Sequence, residues 1–164
     1  MSDTTNLPPP NMPPLETDTE LISTPNIFAE IIAGRSPASF IYRDAQVVAF
    51  VDIQPINEGH VLVIPVQPAR FLTELDEAVA AHLFVVGQRV AGAVRASGLP
   101  TTGIFMFLAD GATAGQEVPH VHLHVVSRFA GDGLSFKLPE HYNTLPEREA
   151  LDEAALKIRS ALGA

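Results

Sequence analysis

Three histidines recur at every second position of this chain, at His120, His122 and His124. In a β-strand, successive side chains point to opposite faces, so the three imidazoles would line one face at spacings of roughly 6–7 Å. The apolar residues that alternate with them would point into the core. Near neutral pH, imidazole can act as a nucleophile, as a general acid or base, or as a metal ligand. The row therefore predicts a chemical site on one face of a strand.

Two kinds of chemistry fit this row. The first is a metal site, but the ligands of one ion usually converge from two elements, and three along a straight strand span too far unless another histidine or a carboxylate joins them. The second is nucleophilic catalysis, in which His122 attacks and the histidines on either side orient or protonate. On the residues alone catalysis is favoured, and the metal site stays open.

The loop that precedes the histidines runs from Asp110 to Gln116 and is built mainly from small residues. Its glycines and alanines let the backbone approach a ligand closely, and exposed N–H groups can hold an anion. Gln116 adds a side-chain donor. Most loops of this composition are only turns, but the position of this one immediately before the histidines favours phosphate binding.

Three further histidines and one aspartate are candidates for a role in this site. His60 begins a predicted strand, and a lone histidine there is more often a packing or surface residue. Asp52 ends the preceding strand, where an aspartate is more often a turn cap. His82 lies beside the apolar stripe of the predicted long helix and His141 lies in a polar linker, so both are interpreted as structural or solvated.

Hydrophobic periodicity predicts the elements that must position these residues. A short helix is expected over 26–34, a long one over 76–97 and a last one over 146–162. Strands are expected over 39–43, 46–52, 60–66, 103–108 and 118–127. The strands lie on either side of one long helix, which predicts an α+β fold with an antiparallel sheet of about five strands.

The proline distribution divides the chain into three predicted segments. Residues 1–25 contain six of the fourteen prolines and should form a disordered tail that could bind a partner, although a solubilising leader is the simpler interpretation. The catalytic domain is expected over 26–136. Residues 137–164 are expected to be a C-terminal extension that contains the last helix.

Composition excludes several classes of function. A formal net charge of −9 argues against a sequence-independent nucleic-acid binder, because phosphate backbones need Lys and Arg surfaces. The absence of cysteine excludes disulfides, thiolate zinc sites and cysteine nucleophiles. No apolar run approaches the about 18–20 residues of a membrane span, and no secretory signal is recognised. A cytoplasmic protein without membrane contact is expected.

The segment Pro119-His-Val-His-Leu-His-Val-Val126 resembles the signature of the histidine triad (HIT) family, in which the histidines alternate with apolar residues. Five more segments resemble other parts of that family in the same order, so that the likeness covers roughly 26–136. They are Asn26-Ile-Phe-Ala-Glu-Ile-Ile32, Ala49-Phe-Val-Asp-Ile53, Gly59-His-Val-Leu-Val-Ile-Pro65, Asp110-Gly-Ala-Thr-Ala-Gly-Gln-Glu117 and Arg128-Phe-Ala-Gly-Asp-Gly133.

The resemblance implies a fold, an activity and a role for each site residue. Family members dimerise through one continuous sheet, and they hydrolyse or transfer nucleoside monophosphates. His122 would attack the α-phosphorus and form a nucleotidyl-histidine, His124 would contact the phosphate and assist the leaving group, and His120 and His60 would support them. Gln116, in the loop with Gly115, would position the phosphate or leaving group. Asp52 would bind the ribose, with a purine base among Ile27, Phe28, Ile31, Phe50, Ile53 and Leu62.

Some positions depart from the family pattern. Many bacterial members carry Cys-x-x-Cys and a further histidine where this chain has Asn26, Ala29 and Pro68, so their structural zinc should be absent. Ala109 stands where many relatives have asparagine. No cofactor is expected, apart from a divalent cation that could accompany a polyphosphate substrate.

Three hypotheses follow from the sequence. The first is a homodimeric hydrolase or transferase acting on a dinucleoside polyphosphate or a nucleoside phosphoramidate. The second is a nucleotide-binding signalling or partner-binding module with little turnover. The third is a histidine-ligated metal hydrolase.

Overall fold

The computed structural model describes residues 26–163, so the predicted tail over 1–25 lies outside the described residues. The described chain contains three α-helices and five strands. The helices are α1 (Ile27–Ile32), α2 (Glu77–Ala96) and α3 (Arg148–Leu162). The strands are β1 (Ser39–Arg43), β2 (Val47–Val51), β3 (Val61–Pro65), β4 (Gly103–Leu108) and β5 (Leu123–Arg128). The predicted α+β fold is confirmed.

The five strands form one sheet in the order β1-β2-β3-β5-β4, and every neighbouring pair is antiparallel. The crossover places β5 between β3 and the edge strand β4. Its register pairs His124 with Leu62 of β3 and with Phe107 of β4. His124 therefore lies in the interior of the sheet, with a strand on each side of it.

Alternation along the strands separates the core into two clusters, one on each face of the sheet. The first cluster joins α2 to residues such as Val63, Val121 and Leu123. The second joins α1 to Phe50 and Leu62. Because neighbours along a strand point to opposite faces, the residues that alternate with the histidines are buried against α2, and the histidines themselves are left on the α1 face.

The strand predicted over 118–127 is wrong at its beginning, because β5 starts only at Leu123. The backbone N–H of Val121 donates to the carbonyl of Ala69 at 2.7 Å, away from the sheet. The ladder with β3 ends where Leu123 pairs with Val63. His120 and His122 therefore precede the strand, although the alternation of side chains continues through them.

The chain divides into two compact units, with the boundary between Asp132 and Gly133. In the second unit, no residue of α3 is buried. Its apolar side chains at Leu151, Ile158 and Leu162 are all exposed. Within the described residues, no helix is both long enough and apolar enough to cross a membrane.

Candidate active site

A cavity of about 1010 Å³ lies on the α1 face of the sheet, where the histidines point. Its lining includes most of the residues that the sequence singled out. They are Ile27, Phe28, Ile31, Phe50, Asp52, Ile53, His60, Leu62, Gly115, His122 and His124. Gln116 and His120 are the two predicted site residues that do not line it. The fold thus brings together residues that are up to 97 positions apart in the chain, from Ile27 to His124.

His122 is held in one tautomer by the backbone. Its Nδ1 lies 2.7 Å from the carbonyl oxygen of His120. A carbonyl oxygen can only accept a hydrogen bond, so Nδ1 carries the hydrogen and Nε2 keeps its lone pair. The ring packs edge-on against Phe28, with centroids 5.2 Å apart, and only 5% of the residue is exposed. The side chain that lines the cavity is therefore a fixed, uncharged imidazole with a free lone pair.

His60 and His124 form a second hydrogen-bonded unit. The backbone N–H of Ile56 donates to Nδ1 of His60 at 3.2 Å, so the hydrogen of His60 is on Nε2. That Nε2 lies 2.9 Å from Nδ1 of His124 and donates to it. The remaining hydrogen of His124 is consequently on Nε2. A backbone amide thus determines, through His60, which nitrogen of His124 can donate.

His120 is fully buried and does not line the cavity. Its Nε2 donates to the carbonyl of Pro65 at 2.8 Å, and its Nδ1 has no hydrogen-bond partner among the described residues. The ring also contacts Phe28 edge-on, with centroids 5.9 Å apart. His120 therefore reaches His122 through its backbone carbonyl, and its imidazole braces the segment against β3.

Asp52 lies at the end of β2 on the edge of the cavity. One carboxylate oxygen accepts the backbone N–H of Gln54 at 2.9 Å, and the other lies 3.5 Å from Nδ1 of His60. The carboxylate is partly exposed, so it can accept further hydrogen bonds from a ligand hydroxyl.

Gln116 ties its own loop together. Its Oε1 accepts the backbone N–H of Gly111 at 2.8 Å, and its Nε2 donates to the carbonyl of Arg70 at 2.7 Å. Gly115, immediately before it, has a φ of 91°, a left-handed conformation that favours glycine. The Gln116 amide is thus engaged with the backbone in this structure, and its predicted role toward the phosphate stays a prediction.

Burial keeps the histidines of the site uncharged near neutral pH. It is the main cause that lowers the pKa of His60, of His120 and of His122. Burial and the neighbouring His122 and His60 lower the pKa of His124 to about 3. A neutral imidazole keeps the lone pair that a nucleophile needs.

A comparison with protein-family models identifies the family of the chain. The model of the HIT domain matches residues 33–131, which is more than half of the chain. The chain belongs to the HIT family. The match begins just after α1 and ends next to the boundary between the two compact units, so it lies within the unit that contains the cavity.

Solved structures of HIT proteins share the fold. A HIT family protein from Bacillus anthracis superposes with a TM-score of 0.75 at 34% identity, over 82% of this chain and 95% of its own. A histidine triad nucleotide-binding protein from Candida albicans gives 0.72 at 26% identity, over 84% and 96%. A zinc-bound histidine triad family protein from Mycobacterium smegmatis gives 0.64 at 40% identity, over 82% and 96%.

Phe107 and Glu117 are among the lining residues that the sequence reasoning did not single out. Phe107 stacks on His124 with centroids 4.1 Å apart and planes 4° apart, because β4 pairs these two positions. Glu117 also lines the cavity, next to Gln116 in the chain. Phe107 could not be predicted, because the pairing of β4 with β5 leaves no pattern in the local sequence. Glu117 could have been found, because it directly follows Gln116 in the loop before the histidines.

One group of residues in the described chain could be considered for a metal ion. Asp52, His60 and His124 place their ligand atoms within 4.8 Å of one another. However, both ring nitrogens of His60 already make hydrogen bonds, one to a backbone N–H and one to His124. An ion would have to break that unit, and the chain has no cysteine to hold zinc elsewhere. The group fits a hydrogen-bonded relay better than a metal site.

Proposed function

We propose that this HIT protein cleaves or transfers at the α-phosphate of a purine nucleotide through a covalent intermediate on His122. The observation that carries the proposal is the locked tautomer of His122, whose Nδ1 donates to the His120 carbonyl and leaves Nε2 as the nucleophile. Holding the attacking atom in its reactive form before the substrate binds removes a reorganisation cost from the reaction.

In the first step, Nε2 of His122 bonds to phosphorus and the bond from phosphorus to the leaving group breaks. The electron pair of that bond goes to the leaving atom, and Nε2–H of His124 donates a hydrogen bond to it. In the second step, water attacks phosphorus and the electron pair of the P–N bond returns to His122. The proton that water loses balances the proton that the leaving group gains, so the sum is hydrolysis. Another acceptor in place of water gives transfer.

The walls of the cavity suit a nucleoside. Apolar side chains from α1, β2 and β3 form one side of it, including Phe28, Phe50 and Leu62. Ile53 lines the cavity while 98% of the residue is exposed, so it offers apolar surface to a flat ligand. The open carboxylate of Asp52 is suited to the hydroxyl donors of a ribose. These features support a nucleotide whose base lies on the apolar wall.

Replacement of the nucleophile tests this proposal. His122→Ala should reduce turnover of adenosine phosphoramidate and diadenosine polyphosphates by on the order of 10⁴-fold or more, as loss of a nucleophile does in other enzymes. Adenosine monophosphate should still bind. His141→Ala is the matched control, since this histidine is exposed in the second unit, and it should retain full activity.

Trapping the intermediate separates a covalent mechanism from the alternatives. Rapid quench of the wild type with labelled substrate should yield an acid-labile, base-stable adduct that peptide mapping assigns to His122. An adduct on another residue, or substantial activity in His122→Ala, would refute the mechanism. Nucleotide binding without turnover would instead favour the binding module, and loss of activity in chelator would favour the metal hydrolase.

We also propose that the protein is a homodimer with one sheet across both subunits, and that it works in the cytoplasm. β4 is an edge strand of the described sheet, and an unpaired edge is a template for another chain. On α2, Phe84 and Val85 are exposed although they are apolar. Sedimentation at micromolar concentration should give a dimer mass, and a monomer would contradict the assembly.

A further inference from the structure

The charged residues of the cavity are acidic. Asp52 and Glu117 line it, and no Lys or Arg does so in the described part of the chain. The histidines add no positive charge near neutral pH, because burial lowers the pKa of each of them. A substrate with several negative charges would therefore enter a cavity whose own charge is negative.

The two carboxylates are not equivalent. Asp52 already accepts a backbone N–H and lies beside His60. Glu117 is exposed, and its carboxylate makes no hydrogen bond or ion pair with another described residue. The negative charge of Glu117 nevertheless acts on the proposed nucleophile. Burial lowers the pKa of His122, and the Glu117 carboxylate opposes this with a smaller effect that raises it. Glu117 thus has a negative charge within electrostatic range of His122.

The loop holds Glu117 in place on both sides. Before it, the Gln116 side chain is bound to Gly111 and to Arg70. After it, Val118 packs against the second core cluster. The backbone at Glu117 is therefore anchored while its side chain remains open to solvent and to the cavity. Such a residue is free to interact with a ligand without any cost to the loop.

We propose that Glu117 selects the leaving group by its charge, favouring an amine that carries a second, cationic group and disfavouring a polyphosphate. This specificity rests on the proposed function, with a nucleoside phosphoramidate as the substrate class. His122 attacks, the P–N bond breaks, and its electron pair stays with the amine nitrogen, which gains a proton. Water then releases the nucleoside monophosphate. The second ammonium of the leaving amine would lie near the Glu117 carboxylate.

The size of the effect follows from the exposure of the pair. Exposed ion pairs are weak, and their usual strength corresponds to about a twofold to fivefold change in an equilibrium or rate. Salt should reduce this change, because charges separated by more than a Debye length are screened. A charge effect of this size is small in absolute terms but is sufficient to rank leaving groups of equal shape.

Three adenosine 5′-phosphoramidates of similar length test the proposal, made from 1,4-diaminobutane, butylamine and 4-aminobutyrate. Their leaving amines carry a distal positive charge, no charge and a negative charge. For the wild type, kcat/KM should decrease in that order, with diadenosine tetraphosphate slower still. Relative to the butylamine compound, Glu117→Gln should lower kcat/KM for the diaminobutane compound by about twofold to fivefold and raise it for the aminobutyrate compound by a similar factor.

The matched control is Glu77→Gln, which removes an exposed carboxylate in the first turn of α2. This variant should leave the kcat/KM values of the diaminobutane and aminobutyrate compounds, relative to the butylamine compound, as they are in the wild type. The effects in Glu117→Gln should also decrease at high salt. An equal change for all three compounds, or no change, would overturn the role of Glu117 and leave the proposed function intact. If the wild type turned over none of the four substrates, the proposed function and this specificity would both be refuted.

Discussion

Two glycines of α2 provide a direct test of how tightly the helix packs on β5, the strand that contains His124. A Cβ at Gly87 would lie 2.6 Å from Cδ2 of Leu123 and 2.9 Å from Cε of Met106. Apolar carbons normally remain about 3.5–4.0 Å apart. A Cβ at Gly92 would meet no atom within 4 Å. Alanine at Gly87 should therefore be less favourable for stability than alanine at Gly92 of the same helix.

Both substitutions gain helix propensity, which is about 1 kcal/mol from glycine to alanine. Gly87→Ala adds the cost of overpacking, typically about 1–3 kcal/mol. Since the propensity gain is common to both, the difference in unfolding free energy between the two variants isolates the overpacking, and we expect Gly92→Ala to be the more stable by about 1–3 kcal/mol. For a unit of this size the difference corresponds to at least about 4 °C in Tm.

The strain should also reach the reaction, because Leu123 lies between His122 and His124 in the chain and only 1% of it is exposed. Small displacements of reacting groups are costly, on the order of 10²-fold for about 1 Å. We expect kcat/KM of Gly87→Ala to decrease at least about tenfold, with Gly92→Ala unchanged.

Urea unfolding at one protein concentration and steady-state kinetics provide these measurements. Adding Leu123→Val to Gly87→Ala removes the closest methyl group and should restore part of the stability. Equal stability and full activity in Gly87→Ala and Gly92→Ala would show that the helix yields without cost, which would refute the packing argument.

Two further predictions concern pH and the loop before β3. The pKa of His124 is lowered from 6.5 to about 3 in the folded protein. Between these two pH values the unfolded chain therefore binds a proton at His124 that the folded chain does not bind. Above pH 6.5 this histidine should not affect the free energy of unfolding. As the pH is lowered from 6.5, the free energy of unfolding should decrease by up to about 1.4 kcal/mol per pH unit. An increase in stability on acidification would contradict this. Asn57→Ala removes hydrogen bonds to the Ser127 carbonyl at 2.7 Å and to Asp132 at 3.0 Å, and should cost about 1–3 kcal/mol in urea unfolding. An unchanged unfolding midpoint would show that this contact is dispensable.

Periodicity was sufficient for the elements whose residues carry their own signal. The long helix predicted over 76–97 matches α2 with Asp76 and Ser97 as its caps. The strand predicted to carry the histidines could not be delimited in this way, since its length depends on a partner. β5 pairs with β3 only from Leu123, and the preceding backbone turns to Ala69. Strand ends are set by pairing between distant segments, which a local pattern does not contain.

The sequence by itself determined that the histidines share one face, because alternation places them on one side and the apolar residues between them on the other. Only the tertiary structure decided what each imidazole can do. The lone pair of His122 and the donor nitrogen of His124 are assigned by hydrogen bonds that begin at the His120 carbonyl and the Ile56 amide. Every residue except proline has both a backbone N–H and a backbone carbonyl. The residue types in the sequence therefore do not indicate which backbone group will form a hydrogen bond with a histidine.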